Sequence, residues 1–275
     1  MRIVLTGASH GIGRHLATVL SPLHEIWGVA RGESSLVILQ EELGSDFRWS
    51  SGDVSSWSGV ESIAKEISEV WPNVDALICC AGEVNPIGPA IETDPSLWSK
   101  TVRTNLDGTY YTIRAIFGLL NSTRERSKVI CLSGGGATGP RANFTPYAVS
   151  KAGLVRLVET LAVEWAEESI DINAVAPGAI STRITQAVID AGPNLAGQAE
   201  YMRALDQQTT VSDALDRFSG LVSYLLSSAS DGISGRLISA IWDPWQDLEK
   251  HRDSLIGSDI YTLRRIVPAD RGSNW

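Results

Sequence analysis

The sequence predicts an α/β fold in one domain, a doubly wound parallel sheet of about seven strands with helices on both faces. Three observations carry that expectation. Short apolar, β-branched runs alternate with longer stretches of helical period along most of the chain. The runs are almost continuously apolar rather than alternating, as in strands covered on both faces. A glycine-rich turn stands directly between the first strand and the first helix.

Taken in order, "RIVLTG" (2–7), "EIWGVA" (25–30), "DFRWSSGD" (46–53), "VDALICCAG" (74–82), "KVICLSG" (128–134), "DINAVAPG" (171–178) and "GRLISA" (235–240) read as strands. Helical patterns fill about 11–21, 34–43, 56–70, 96–120, 147–168 and 211–227. Right-handed crossovers between such units place ligands at the carboxyl ends of the strands. Two segments depart from the rhythm. Residues 180–210 carry a weak helical pattern broken by "AGPN", as expected of a lid-like excursion over the sheet. Residues 241–275 form a Trp-, Asp- and Arg-rich tail, expected to close the pocket or a subunit interface beside a catalytic domain of 1–240.

Bulk properties exclude several classes. A net charge of −9 disfavours a nucleic-acid partner, which calls for a basic face. No apolar run reaches the ~18 residues of a membrane span, and a strand that begins at residue 2 leaves no room for a signal peptide. Cys79, Cys80 and Cys131 show neither zinc nor disulfide spacing and lie in strand-like runs, which suits small buried hydrophobes in a reducing cytoplasm. His10, His15, His24 and His251 have no partner spacing, so no metal site is expected.

The turn after the first strand reads "TGASHGIG", with Gly7, Gly11 and Gly13. Glycines let the backbone approach a pyrophosphate, and the helix behind them offers free N–H groups and the positive end of its dipole. Further along, "NFTPYAVSK" sets Tyr147 and Lys151 four positions apart, on one helical face. With "GDV" (52–54), "CCAG" (79–82), "VRTNLDG" around Asn105, "CLSG" around Ser133, and "PG" (177–178) followed by Thr182, the chain from 1 to 240 resembles the short-chain dehydrogenase/reductase family. The resemblance implies a Rossmann-type fold and a catalytic set of Asn105, Ser133, Tyr147 and Lys151. It also implies a nicotinamide cofactor held by Gly7, Ser9, His10, Gly11, Ile12 and Gly13, by Arg31, Asp53 and Val54, and by Cys80, Ala81 and Gly82. Asn105, Tyr147, Lys151, Pro177, Gly178, Ile180 and Thr182 complete that cofactor set. The family's asparagine pair is replaced here by Cys79 and Cys80, so side-chain hydrogen bonds from that strand end are lost.

An acidic residue after the second strand would accept hydrogen bonds from the adenosine ribose and repel a 2′-phosphate. Here that place holds Ala30 and Arg31, and an arginine fork suits a phosphate. With His10 in the glycine loop, this favours NADP(H) over NAD(H), although Glu33 lies nearby.

Hydride transfer to a carbonyl needs a proton donor at the developing alkoxide. A free tyrosine titrates near ~10, and an ammonium one helical turn away is expected to lower that by about one to two. Ser133 would hold the substrate oxygen, and Asn105, by resemblance, would fix a water that relays protons through Lys151. Substrate contacts are expected from Arg141, Asn143 and Phe144 on one wall and from Ile184, Val188 and Tyr201 on the other. The leading expectation is an NADP(H)-dependent oxidoreductase of a carbonyl or secondary alcohol. The alternatives are an NAD(H)-dependent dehydrogenase of a sugar-like or polyketide-type alcohol, and a non-catalytic nucleotide sensor or scaffold of the same fold. The resemblance also implies a homodimer or homotetramer built on the helices near 96–120 and 147–168.

Overall fold

A computed structural model describes residues 1–120, 125–209 and 213–275. Seven parallel strands form one sheet in the order β3-β2-β1-β4-β5-β6-β7. They are β1 (Arg2–Thr6), β2 (Glu25–Ala30), β3 (Phe47–Ser51), β4 (Ala76–Cys79), β5 (Ser127–Leu132), β6 (Ile170–Ala176) and β7 (Leu237–Ser239). The helices are α1 (Gly11–Leu20), α2 (Glu33–Leu43), α3 (Trp57–Val70), α4 (Pro95–Val102), α5 (Gly108–Ile116), α6 (Thr145–Glu164), α7 (Arg183–Ala196), α8 (Gln198–Thr209), α9 (Ala214–Leu226) and the short α10 (Arg252–Leu255). The strand order reverses between β1 and β4, and a crevice opens beyond the carboxyl ends of strands at such a switch point.

Alternation along the strands divides the core. Ile3, Leu5 and Ile26 face a layer with Leu16, Leu36, Leu39, Phe218 and Leu221 from α1, α2 and α9. Val4, Trp27 and Leu77 face the opposite layer, with Ile63, Ile67, Ile113, Leu154 and Val158 from α3, α5 and α6. A third, smaller cluster lies above the sheet. It joins Val84, Ile87, Phe144 and Tyr147 to Val188, Ala196 and Ala204 from α7 and α8.

Three segments differ from the sequence expectation. The helix expected over 96–120 is divided by a π-helical turn, Arg103–Asp107, and closes in a 3-10 turn, Phe117–Leu119. The excursion at 180–210 is two helices; Gly192, at φ 69°, and Pro193 bend α7 where "AGPN" broke the pattern. Position 210 and the first positions expected of the 211–227 helix lie outside the described residues, and that helix is described from Ala214.

The tail packs along the far side of the sheet. Trp245, Leu248 and Leu255 enter the layer of α9. The buried Arg236 guanidinium donates to the carbonyls of Leu255, Ser258 (2.9 Å) and Ile260 (2.7 Å). The Leu263 N–H donates to Glu159 on α6 at 2.5 Å. None of the residues 241–275 lines either cavity beside the switch point.

Candidate active site

The loop after β1 shows why glycine is required there. A Cβ on Gly13 would lie 2.3 Å from the Gly7 carbonyl oxygen, and one on Gly7, at φ +73°, would lie 2.8 Å from the Ala81 nitrogen. The loop is thereby folded tightly onto the start of α1 and the end of β4, leaving its backbone open to a ligand. A cleft of about 310 Å³ runs over it. Gly7, Ser9, His10, Gly11, Ile12, Gly13, Arg31, Asp53, Val54, Cys80, Ala81, Gly82 and Thr182 of the expected cofactor set line this cleft. Pro177, Gly178 and Ile180 do not. Ile180 is buried in the core, and Gly178 packs against Ile241 of the tail.

Charges around the cleft are set by local partners. Burial works to raise the Asp53 carboxyl, but hydrogen bonds from Ser55 and the charge of Arg31 carry it below the ordinary value. His10 shares a 2.8 Å hydrogen bond with Ser9. Burial and the charges of Arg183 and Arg14 push the His10 imidazole down, so it presents a neutral hydrogen-bonding ring at neutral pH. Arg31 and Arg183 bring guanidinium groups to the same lining. Sequence reading missed Arg183, the first residue of α7, because the end of β6 and the glycine loop meet only in the folded chain. It also missed Glu83, Asn85 and Thr104 in the same lining.

None of the four residues of the expected catalytic set lines the cleft; Asn105 and Lys151 lie against Gly82 of its lining, and Ser133 follows Leu132 of the same lining. Lys151 is 4% exposed; its ammonium donates to the Leu132 carbonyl at 2.7 Å and sits 5.7 Å from the centroid of the Tyr147 ring. Tyr147 aims its hydroxyl at the loop after β5, where a Cβ on Gly134 would lie 2.4 Å from the phenol oxygen. Ser133, 2% exposed, has no hydrogen-bond partner for its hydroxyl among the described residues. Asn105 is held in the π-helical turn. Its amide donates to the Glu83 carbonyl and to Ser150, both at 2.9 Å, and its oxygen accepts from the Glu83 N–H at 2.8 Å. Both amide hydrogens are thus committed to the chain, and Asn105 clamps the segment after β4.

The ionisation pattern corrects another expectation. Burial pushes the Tyr147 phenol above its ordinary value, opposed by the charge of Arg141. Burial also carries the Lys151 ammonium down to about 8. The neighbouring Cys80 thiol is pushed up to about 12 by burial, so all its contacts at neutral pH are those of a protonated thiol. Cys79 and Cys131 are register partners on β4 and β5 and are fully enclosed.

The expected substrate residues divide. Ile184 lines the cleft. Phe144 and Val188 are buried in the third apolar cluster, and Phe144 is fully covered. Arg141 is paired with Glu200 of α8 at 2.7 Å rather than free for an anion. Tyr201 is half-buried on α8, and Asn143 takes a left-handed backbone, φ 66°, beside Gly197. A second cavity of about 470 Å³ adjoins the cleft between α4 and α7. Its walls are Pro86, Ile87, Leu97 and Leu195, with Glu83, Lys100 and Asp190 as its charged groups.

A glycine cradle at the switch point of a parallel sheet, with a buried Tyr–Lys pair behind it, defines a dinucleotide-binding oxidoreductase. Comparisons with known proteins agree. Residues 7–240 match the family model described as enoyl-(acyl carrier protein) reductase. The 2-dehydro-3-deoxy-D-gluconate 5-dehydrogenase of Pseudoalteromonas atlantica is 29% identical over 86% of this chain and 92% of its own. The benzil reductase ((S)-benzoin forming) of Saccharomyces cerevisiae is 27% identical over 83% of this chain and 84% of its own. The crystal structure of a Saccharomyces cerevisiae short-chain dehydrogenase/reductase superposes with a TM-score of 0.77 at 26% identity, covering 88% of this chain and 96% of that one. The chain belongs to the short-chain dehydrogenase/reductase family. It is an NAD(P)-dependent oxidoreductase acting on a carbonyl or alcohol. No helix among the described residues is long and apolar enough to cross a membrane.

Proposed function

We propose that this enzyme is an NADP(H)-dependent reductase of a medium-sized, partly polar carbonyl compound, with Tyr147 as its proton donor. The observation that carries the reading is the unpartnered, buried Ser133 hydroxyl one residue before Gly134, the residue against which the Tyr147 hydroxyl lies, so that two oxygen-bound hydrogens stand at one loop. The cofactor supplies the hydride when bound; the residues supply the rest. Ser133 donates a hydrogen bond to the carbonyl oxygen and stabilises the charge that develops on it. Tyr147 gives that oxygen its proton. The Lys151 ammonium, 5.7 Å from the ring centroid, favours the phenolate by Coulomb attraction. Asn105 keeps the segment after β4 in register with α6 through Ser150.

The preference for the 2′-phosphate rests on Arg31 at the end of β2, in the cleft lining where an NAD-type carboxylate would stand. The mixed walls of the second cavity support a substrate with an apolar body and polar substituents. The activities of the two named relatives, an α-diketone reduction and a sugar-acid oxidation, bracket that class. Free cysteines support a reducing, cytoplasmic setting. Exposed Leu97, Tyr110 and Val149 on α4, α5 and α6 support a homodimer or homotetramer assembled on those helices. The test is a fluorescence titration with NADPH and NADH, followed by turnover on a panel of diketones, keto sugars and keto acids. Tighter NADPH binding and at least one turned-over carbonyl are expected; equal affinities would overturn the cofactor preference.

A further inference from the structure

The Tyr147 ring has a second cation beside it that the expected catalytic set does not contain. The Arg141 guanidinium carbon lies 3.9 Å from the Phe144 ring centroid and 5.6 Å from the Tyr147 ring centroid. Lys151 Nζ is at 5.7 Å from the same centroid, so the phenol ring has two cations at nearly equal distance. Arg141 comes from the loop before α6 and is fixed from the other side. Its Nε and Nη2 donate to one oxygen of Glu200 on α8 at 3.1 and 2.7 Å, and Glu200 also takes Arg203 at 2.8 Å. Both partners of the Arg141–Glu200 pair are about four-fifths buried, which favours a fixed geometry over a solvated surface pair.

Resting on the reading of Tyr147 as proton donor, we propose that Arg141 is a positioning residue for the reaction: held by Glu200, it keeps a second positive charge against the phenol, so that the acidity of Tyr147 depends on α8 being packed in place. The charged groups facing the phenol are Lys151 from its own helix and Arg141 from the preceding loop, with Glu200 and Arg203 of α8 behind Arg141. The other elements in the cluster bring apolar side chains, Val84 and Ile87 from the segment after β4, Val188 from α7 and Ala204 from α8. Burial of the phenol strengthens any such charge effect, because little water remains to screen it. The charge of Arg141 already acts to lower the phenol against the pull of burial. The Glu200 countercharge offsets part of this.

The experiment is a ¹³Cζ-tyrosine NMR titration of the NADP⁺-bound protein from pH 6 to 11, with the Tyr147 signal assigned by its loss in Tyr147→Phe. Wild type is compared with Arg141→Met and Arg141→Lys, each checked for folding by circular dichroism. The Met variant is expected to raise the Tyr147 midpoint by about one pH unit or push it beyond the range, and the Lys variant to stay within about 0.3 of wild type. Hydrogen exchange across Gln198–Thr209 is expected to quicken at least about fivefold in Arg141→Met, because the pair that ties α8 to the loop is gone. An unmoved midpoint in Arg141→Met, or equal shifts in Met and Lys, overturns the electrostatic role; unchanged exchange overturns the link to α8. Failure to bind NADP⁺ would count against the proposed function instead. Should Arg141→Met not fold, Arg141→Gln takes its place with the same expected shift.

Discussion

Two lysines are buried to the same depth in this molecule and meet opposite surroundings. Lys128, at the amino end of β5, is 3% exposed, with Asp171 at 2.8 Å, Asp231 at 2.6 Å and the Ser230 hydroxyl at 3.2 Å. Asp171 also takes Arg126 at 2.8 Å and the Gly232 N–H at 3.1 Å. Lys151, beyond the carboxyl end of the same strand, is equally enclosed, and the contact it makes is to a carbonyl, that of Leu132. One end of the strand satisfies its buried charge completely and ties β5, β6 and the approach to β7 together. The other end leaves a cation, a phenol and a serine hydroxyl underused by the chain, which is the condition for a ligand to use them.

The largest expected effect that sharpens this contrast comes from the catalytic end. Tyr147→Phe should lower turnover by about 10³-fold or more, the range of a lost general acid, while NADPH affinity by fluorescence changes little. Retained turnover would remove Tyr147 from the chemistry. At the opposite end, Asp171→Asn should leave Lys128 and Arg126 short of a carboxylate and cost about 3 kcal/mol, read as a lower urea midpoint. Ser133→Ala crosses the two measures. It should lower kcat by about 10²-fold yet leave the midpoint within about 0.5 kcal/mol, since its hydroxyl bonds nothing in the fold. A matching loss of stability would place Ser133 with the structural residues.

The last effect is a pH dependence. Lys151 titrates near 8 in the folded chain against an ordinary 10.5. Between those values the unfolded chain binds more protons, so the penalty of burying this ammonium is full below pH 8 and fades as pH rises. Lys151→Met should therefore be the more stable protein at pH 7 and show a flatter rise between about pH 8 and 10 in urea titrations. A steeper rise in the variant would contradict the sign.

Much of this was legible in the sequence because it is local. The strand–glycine–helix unit at 2–20 and the Tyr147–Lys151 spacing each lie within one or two elements, and the structure sets them at the switch point. What stayed hidden depends on contacts across the chain. Arg141 was legible as a cation near the site, but its commitment to Glu200 spans 59 positions. Asn105 was legible as a site residue, but the π-helical turn that directs its amide to Glu83 and Ser150 has no periodic signature. The direction of the Tyr147 shift was misread because spacing reports the neighbouring charge and says nothing of burial, which dominates it as it dominates the Lys151 shift.

The tail carries one last consequence. The N–H groups of β7 that point away from β6 are those of Leu237 and Ser239, and both are taken, by the Tyr261 carbonyl at 2.8 Å and the Asp243 carboxylate at 2.7 Å. A sheet margin with free donors is a template for foreign strands and for aggregation. Here the chain's own end occupies that margin, so growth of the sheet past β7 is blocked, and a shortened protein would lose its protection against self-adhesion before it lost its catalytic groups.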